Sequence, residues 1–67
     1  MNEDIFKGKW NQIKGGIKQT WGDLTDNDIA QIEGSYDRLV GTLQERYGWA
    51  REKAEREVED YFTRQRM

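Results

Sequence analysis

Residues 8–28, GKWNQIKGGIKQTWGDLTDND, decide how this chain is read. The stretch carries two of the three tryptophans, most of an apolar stripe, and a helix stop followed at once by a helix start. From Phe6 the apolar residues recur at Trp10, Ile13, Ile17, Trp21 and Leu24, always three or four apart. At 3.6 residues per turn such positions share one face, so the pattern predicts an amphipathic helix from about residue 4 to residue 21. Gly8, Gly15 and Gly16 each weaken that helix by up to ~1 kcal/mol relative to alanine. All three lie off the apolar stripe when the turn is taken as about 100° per residue. The core therefore has no evident need of them, and two readings stay open: another backbone approaches closely, or the helix is loose.

At the end of the stretch, Gly22 is the expected C-terminal cap, because glycine enters the left-handed conformation without strain. Leu24 is expected to fold back onto the stripe. Thr25 with Asp28 three residues later forms a variant capping box, and Asp26 and Asp28 suit the positive end of a helix dipole. A second helix is thus predicted from Thr25, carrying Ile29 and Ile32. Its face continues through Tyr36, Leu39, Val40, Leu43 and Tyr47, so periodicity alone allows one long helix. Gly34 followed by Ser35 argues for an interruption, glycine ending one helix and serine capping the next. Gly48 then ends the third helix directly after Tyr47.

A fourth helix is predicted over about residues 49–64, with Ala50, Ala54, Val58, Tyr61 and Phe62 on one face. Its remaining surface interleaves charges four apart: Glu52 with Arg56, Lys53 with Glu57, Arg56 with Asp60, and Asp60 with Arg64. Each pair contributes ~0.2–0.5 kcal/mol, and laced charge of this kind reads as a solvated face. Residues 65–67 are expected to fray. The expectation is an all-α fold, a small four-helix bundle built from two short helical hairpins, with residues 1–67 forming a single domain.

Composition bounds the rest. A chain of 67 residues hides only ~60% of the surface its unfolded form exposes, so the core is thin. No cysteine or histidine is present, which removes a disulfide framework and the usual structural zinc sites. Charged residues make up 36% of the chain and hydrophobic ones 34%, a balance near that of disordered chains, but eight aromatics provide something to pack. No apolar run reaches the ~20 residues of a membrane helix, and the opening MNEDIF lacks the regions of a signal peptide, so the cytoplasm is the expected compartment. A net charge of -2 gives no overall basic field. The charge is segregated, however: residues 7–21 hold four lysines and no acid, whereas residues 22–34 hold four acids and no base.

Catalysis needs a nucleophile, an acid–base pair or a metal, and the sequence offers none of these as a constellation. The single serine sits at an expected helix cap. Asp23, Asp26 and Asp28 cluster, yet they lack the glycine and terminal glutamate of a calcium-binding loop, and capping accounts for two of them. The sequence thus names no catalytic residue, no cofactor and no metal site, and the expectation is a protein that is not an enzyme. Lys7, Lys14 and Lys18 project in a line beside the apolar stripe and are candidate contacts for an anion or nucleic acid, with Trp10 or Trp21 as a stacking platform. The competing reading makes both tryptophans core anchors and the lysines a solvated flank facing the acids of the second helix; a thin core can hardly spare two large aromatics. A third reading lays the first helix on an anionic membrane surface, which competes with folding for the same residues. Trp49 is a candidate aromatic contact, or else a staple between the start of the fourth helix and Tyr47. The burial of the tryptophans separates these readings.

Taken together the motifs resemble those of the CsbD-like small bacterial stress-response proteins. The resemblance rests on Trp10, KGGIK at 14–18, WGDLTDND at 21–28, IEG at 32–34, DRLVGTLQERYG at 37–48 and AEREVEDY at 54–61, in order along nearly the whole chain. Gly16 stands where the family more often has a polar residue, and Ser35 where a basic residue is common. The resemblance implies a small cytoplasmic all-helical protein of the general stress response with no assigned biochemical activity and no active site to carry over.

Overall fold

A computed structural model of the protein describes residues 3–65. Every regular element among them is a helix: α1 Glu3–Gly8, α2 Trp10–Thr20, α3 Asp26–Ile32, α4 Tyr36–Tyr47 and α5 Arg51–Gln65. The expected fraying at 65–67 concerns a terminus of which residues 66 and 67 lie outside the described residues.

Five helices stand where the apolar stripe predicted four, because the first is broken at Lys9. There the backbone turns to φ −99° and ψ 3°, with no side-chain cap. The Lys9 N–H is shared between the carbonyls of Ile5 (3.1 Å) and Phe6 (3.3 Å), while its own carbonyl accepts from Gln12 and Ile13. The bend is placed by tertiary contacts. At the Gly34 turn, a β-carbon would sit 3.1 Å from Trp10 Cβ and 3.2 Å from Lys7 Cα, so the α1–α2 elbow rests directly on that backbone. Beyond the elbow, Phe6 turns into the molecule and packs its ring against Trp10 (centroids 5.6 Å apart), Phe62 (5.7 Å) and Tyr36 (6.1 Å). A six-residue helix cannot hold itself together in water, and this buried ring is what secures α1.

α2 ends at Thr20, and its cap departs from the expectation. The cap residue is Trp21 at φ −114°, and Gly22 does not adopt the left-handed conformation. Trp21 closes the helix by donating to the Ile17 carbonyl, and Leu24 donates back to the Trp21 carbonyl, so a tight turn replaces a glycine cap. Trp21 is drawn into this position by burial against the Tyr61 ring, 5.4 Å away. Leu24 folds into the core as expected.

The capping box at the next junction is present in both directions: Thr25 Oγ1 accepts from the Asp28 N–H, and an Asp28 carboxylate oxygen accepts from the Thr25 N–H. The interruption at Gly34 is also present. Glu33 and Gly34 both take positive φ, 49° and 79°, and Ser35 Oγ caps α4 by accepting from the Arg38 N–H. Helices α3 and α4 are therefore separate. At its far end α4 closes on Gly48 at φ 71°, whose N–H donates to the Gln44 carbonyl.

The core gathers Trp10, Ile17, Trp21, Leu24, Ile29, Ile32, Leu39, Val40, Leu43, Ala54, Val58 and Tyr61 around Phe6. α5 packs along α4, α3 bridges α4 and α2, and α1 crosses α4. A ring series runs Trp10–Phe6–Phe62–Tyr61–Trp21 and joins the two ends of α2 to α5. One of the three glycines is shaped by this packing. Gly16 faces the Tyr61 hydroxyl so closely that any side chain there would collide, while Gly8 and Gly15 face open space. A wheel drawn for α2 alone could not show this, since the crowding comes from α5.

Candidate functional site

The lysine line is divided by the elbow at Lys9. Lys7 belongs to α1 and lies against the Gly34 turn, where it shares a shallow depression of about 260 Å³ with Glu33, Ser35 and Arg38. Lys14 and Lys18 belong to α2 and flank a second depression of about 350 Å³ between α2 and α3, floored by Trp10, Ile29 and Ala30. Lys18 is paired with Asp26, the first residue of α3, so the segregated charge of the sequence is partly closed within the molecule. Lys7, Lys14 and Lys18 are all exposed.

Neither indole beside that line offers a free face. Trp10 is 9% exposed and Trp21 is 4% exposed, both within the core. Trp49 is half-buried and stacks flat on Tyr47, with centroids 4.5 Å apart and planes 15° from parallel. Lys53 Nζ lies 5.2 Å from the Trp49 ring centroid on the next helix. Tyr47 in turn reaches the α2–α3 connection, its hydroxyl accepting from the Asp23 N–H at 3.4 Å. Trp49 thus occupies the stapling position between Tyr47 and the first turn of α5.

The aspartate cluster divides in the same way. Asp23 and Asp26 are exposed, whereas Asp28 is 4% exposed and is the one buried polar side chain among the described residues. A buried carboxylate requires a partner. Arg46 supplies it bidentately, Nε at 2.8 Å and Nη2 at 2.7 Å, from the last turn of α4. Those bonds, followed by the one from the Thr25 N–H, outweigh the opposing effect of burial and hold the Asp28 carboxyl at about 2, below its ordinary 3.8. The sequence marks Asp28 as a cap but gives no sign of Arg46, because 18 residues separate them and no helical spacing relates them. A carboxylate facing the core side of its own helix is the one available hint.

A third depression, about 450 Å³, lies between α3 and α4 and is lined by Gln31, Glu33, Arg38, Gly41, Thr42 and Glu45. Two of its polar side chains bond to the backbone: Arg38 donates to the Gln31 carbonyl at 3.1 Å and Thr42 to the Arg38 carbonyl at 2.8 Å. Among the described residues no group of three or more carboxylates is placed to hold a metal ion, and no helix is long and apolar enough to cross a membrane.

The chain is similar to known proteins along most of its length. A model of the CsbD-like family matches residues 4–56, from the start of α1 into α5. The chain is 56% identical to a UPF0337 protein of Pseudomonas aeruginosa over 64 residues, 96% of this chain and 98% of that protein. It is 53% identical to the UPF0337 protein YjbJ of Escherichia coli K12, covering 96% and 93%, and 50% identical to a UPF0337 protein of Bordetella pertussis, covering 96% and 97%.

Proposed function

The chain belongs to the CsbD-like family, and from that membership we propose that it is a small non-enzymatic stress-response protein of the cytoplasm, acting by binding or as a soluble protectant, with residues 1–67 as one functional unit. The observation that carries the proposal is the similarity to UPF0337 proteins along 96% of the chain. The chemistry of the chain supports it. The sequence has no cysteine or histidine, and its single serine is engaged as the α4 cap, accepting from the Arg38 N–H. Its mean hydropathy of −1.13 and dense surface charge suit a protein kept soluble at high concentration.

The nucleic-acid alternative at Lys7, Lys14 and Lys18 draws no support from the geometry. Stacking on a base needs an open aromatic face, and the neighbouring indoles are enclosed. Lys18 is paired with Asp26 on the surface, and Lys7 belongs to a different helix from the other two.

Deletion of the gene, followed by survival counts under salt, osmotic and stationary-phase stress, tests the proposal. Reduced survival restored by the intact gene is expected; survival equal to the parent strain under all three would sink it. Titration of the protein with DNA and RNA at low salt tests the alternative, for which no saturable binding is expected.

A further inference from the structure

We infer that the end of α4 clasps the α2–α3 connection, so that residues 22–28 open and close as one unit, separately from the α4–α5 pair. Five consecutive positions, 21–25, lie outside any helix; Trp21 is pinned against the Tyr61 ring, and beyond it only Leu24 is buried, with Gly22, Asp23 and Thr25 exposed. Past Trp21, a connection with so little buried side chain should open at low cost unless something else holds it. Two adjacent residues hold it here. Arg46 grips Asp28 through both carboxylate oxygens, and the Tyr47 hydroxyl accepts from the Asp23 N–H five residues earlier in the same connection.

The grip is transmitted inward by bonds that share atoms. The Asp28 oxygen that accepts from Arg46 Nε also accepts from the Thr25 N–H, and Thr25 Oγ1 accepts from the Asp28 N–H. Releasing Arg46 therefore loosens the capping box itself, and with it the start of α3. At the other end of the clasp, Tyr47 is held flat by Trp49, and Lys53 lies over that ring. The clasp is anchored in the first turn of α5 and acts on a segment distant in sequence.

Opening would bring Leu24 to water, in a molecule whose one exposed large hydrophobic among the described residues is Ile5. The clasp thus governs when an otherwise enclosed apolar side chain at the edge of the core is uncovered. This inference is independent of the proposed stress role.

Native-state amide exchange on the full chain, read residue by residue, tests it. In Arg46→Gln the amides of Leu24, Thr25 and Asp28 should exchange about tenfold faster together, while those of Leu43, Ala54 and Val58 keep their parental rates. Tyr47→Phe keeps the stack under Trp49 and removes only the hydroxyl; it should accelerate the same three amides by a smaller common factor. Unchanged rates at Thr25 and Asp28 in Arg46→Gln would overturn the clasp. So would an equal acceleration of the α4 and α5 amides, which means global unfolding, or an effect of Tyr47→Phe confined to the Asp23 amide, which means no shared opening.

Discussion

The two halves of this protein become helical for different reasons. α4 is specified locally at both ends: Ser35 caps its start, Asp37 lies in its first turn, Arg46 in its last, and Gly48 closes it in the left-handed conformation. α5 adds its own ladder, with Arg51 bonded to Glu55 at 3.0 Å and to Asp37 of α4 at 2.7 Å, and Lys53 lying 3.7 Å from Glu57. α1 and α2 have almost none of this. α2 begins at Lys9 without a side-chain cap or an acid in its first turn, contains two adjacent glycines, and ends on an indole outside the left-handed region. What holds the α1–α2 arm is aromatic burial against the other half. α4, with local signals at both ends, keeps its predicted limits; α5 starts at Arg51, two residues after its predicted start, and in the α1–α2 arm packing moves the limits.

The sharpest way to break this comparison is Phe6→Ala. Removing the ring that secures α1 against Tyr36 and Phe62 should cost about 3–4 kcal/mol in denaturant-induced unfolding followed by circular dichroism. A loss below ~1 kcal/mol would mean that α1 does not depend on the core contact.

Adjacent glycines sharpen it further. Gly16→Ala should destabilise by about 1–2 kcal/mol, because the new methyl displaces a Tyr61 ring confined by Trp21 and Phe62, and overpacking exceeds the gain in helix propensity. Gly15→Ala faces open space and should stabilise by up to ~1 kcal/mol. The same sign for both changes would show that α5 does not control this flank.

Acid should act on the junction between the halves. Asp28 has a folded value of about 2 against an ordinary 3.8, so its contribution is complete above that ordinary value and is lost as the pH falls from about 4 to 2. The melting temperature of the parent protein should drop more steeply across that window than that of Asp28→Asn. Parallel curves would mean that the Arg46 pair adds nothing beyond the neutral cap. At neutral pH, Thr25→Ala should cost about 1 kcal/mol through loss of the reciprocal cap.

The smallest effect belongs to Trp49. Its half-exposed stack on Tyr47 should contribute about 0.5–1 kcal/mol, seen as a modest loss in thermal stability of Trp49→Ala. A loss as large as that of Phe6→Ala would move the anchor of the fold to the α4–α5 corner.

The three junctions show how much could be read in advance. Gly34–Ser35 and Gly48 act as the residue types require, since positive φ and hydroxyl capping are properties of the residue itself. Gly22 carries the same signal but does not use it, because the burial of Trp21 settles the turn first. The lysine line is visible as spacing, yet its division at Lys9 and the capture of Lys18 by Asp26 depend on elements brought together only by folding. Arg46 leaves no trace in the sequence, because nothing in a run of residues says which distant carboxylate a guanidinium will meet.

By itself the sequence determined the helical class, the caps at Thr25, Ser35 and Gly48, the apolar faces and the family, all consequences of short-range periodicity and residue chemistry. The tertiary structure alone decided the elbow at Lys9, the crowding at Gly16 and the Asp28–Arg46 grip, and it settled Trp10 and Trp21 as the core anchors that a thin core calls for. Each of these depends on which surface lies opposite. In a core this thin, contacts from distant elements, at Phe6 and at the Gly34 turn, interrupt a helix that its own periodicity would have kept continuous.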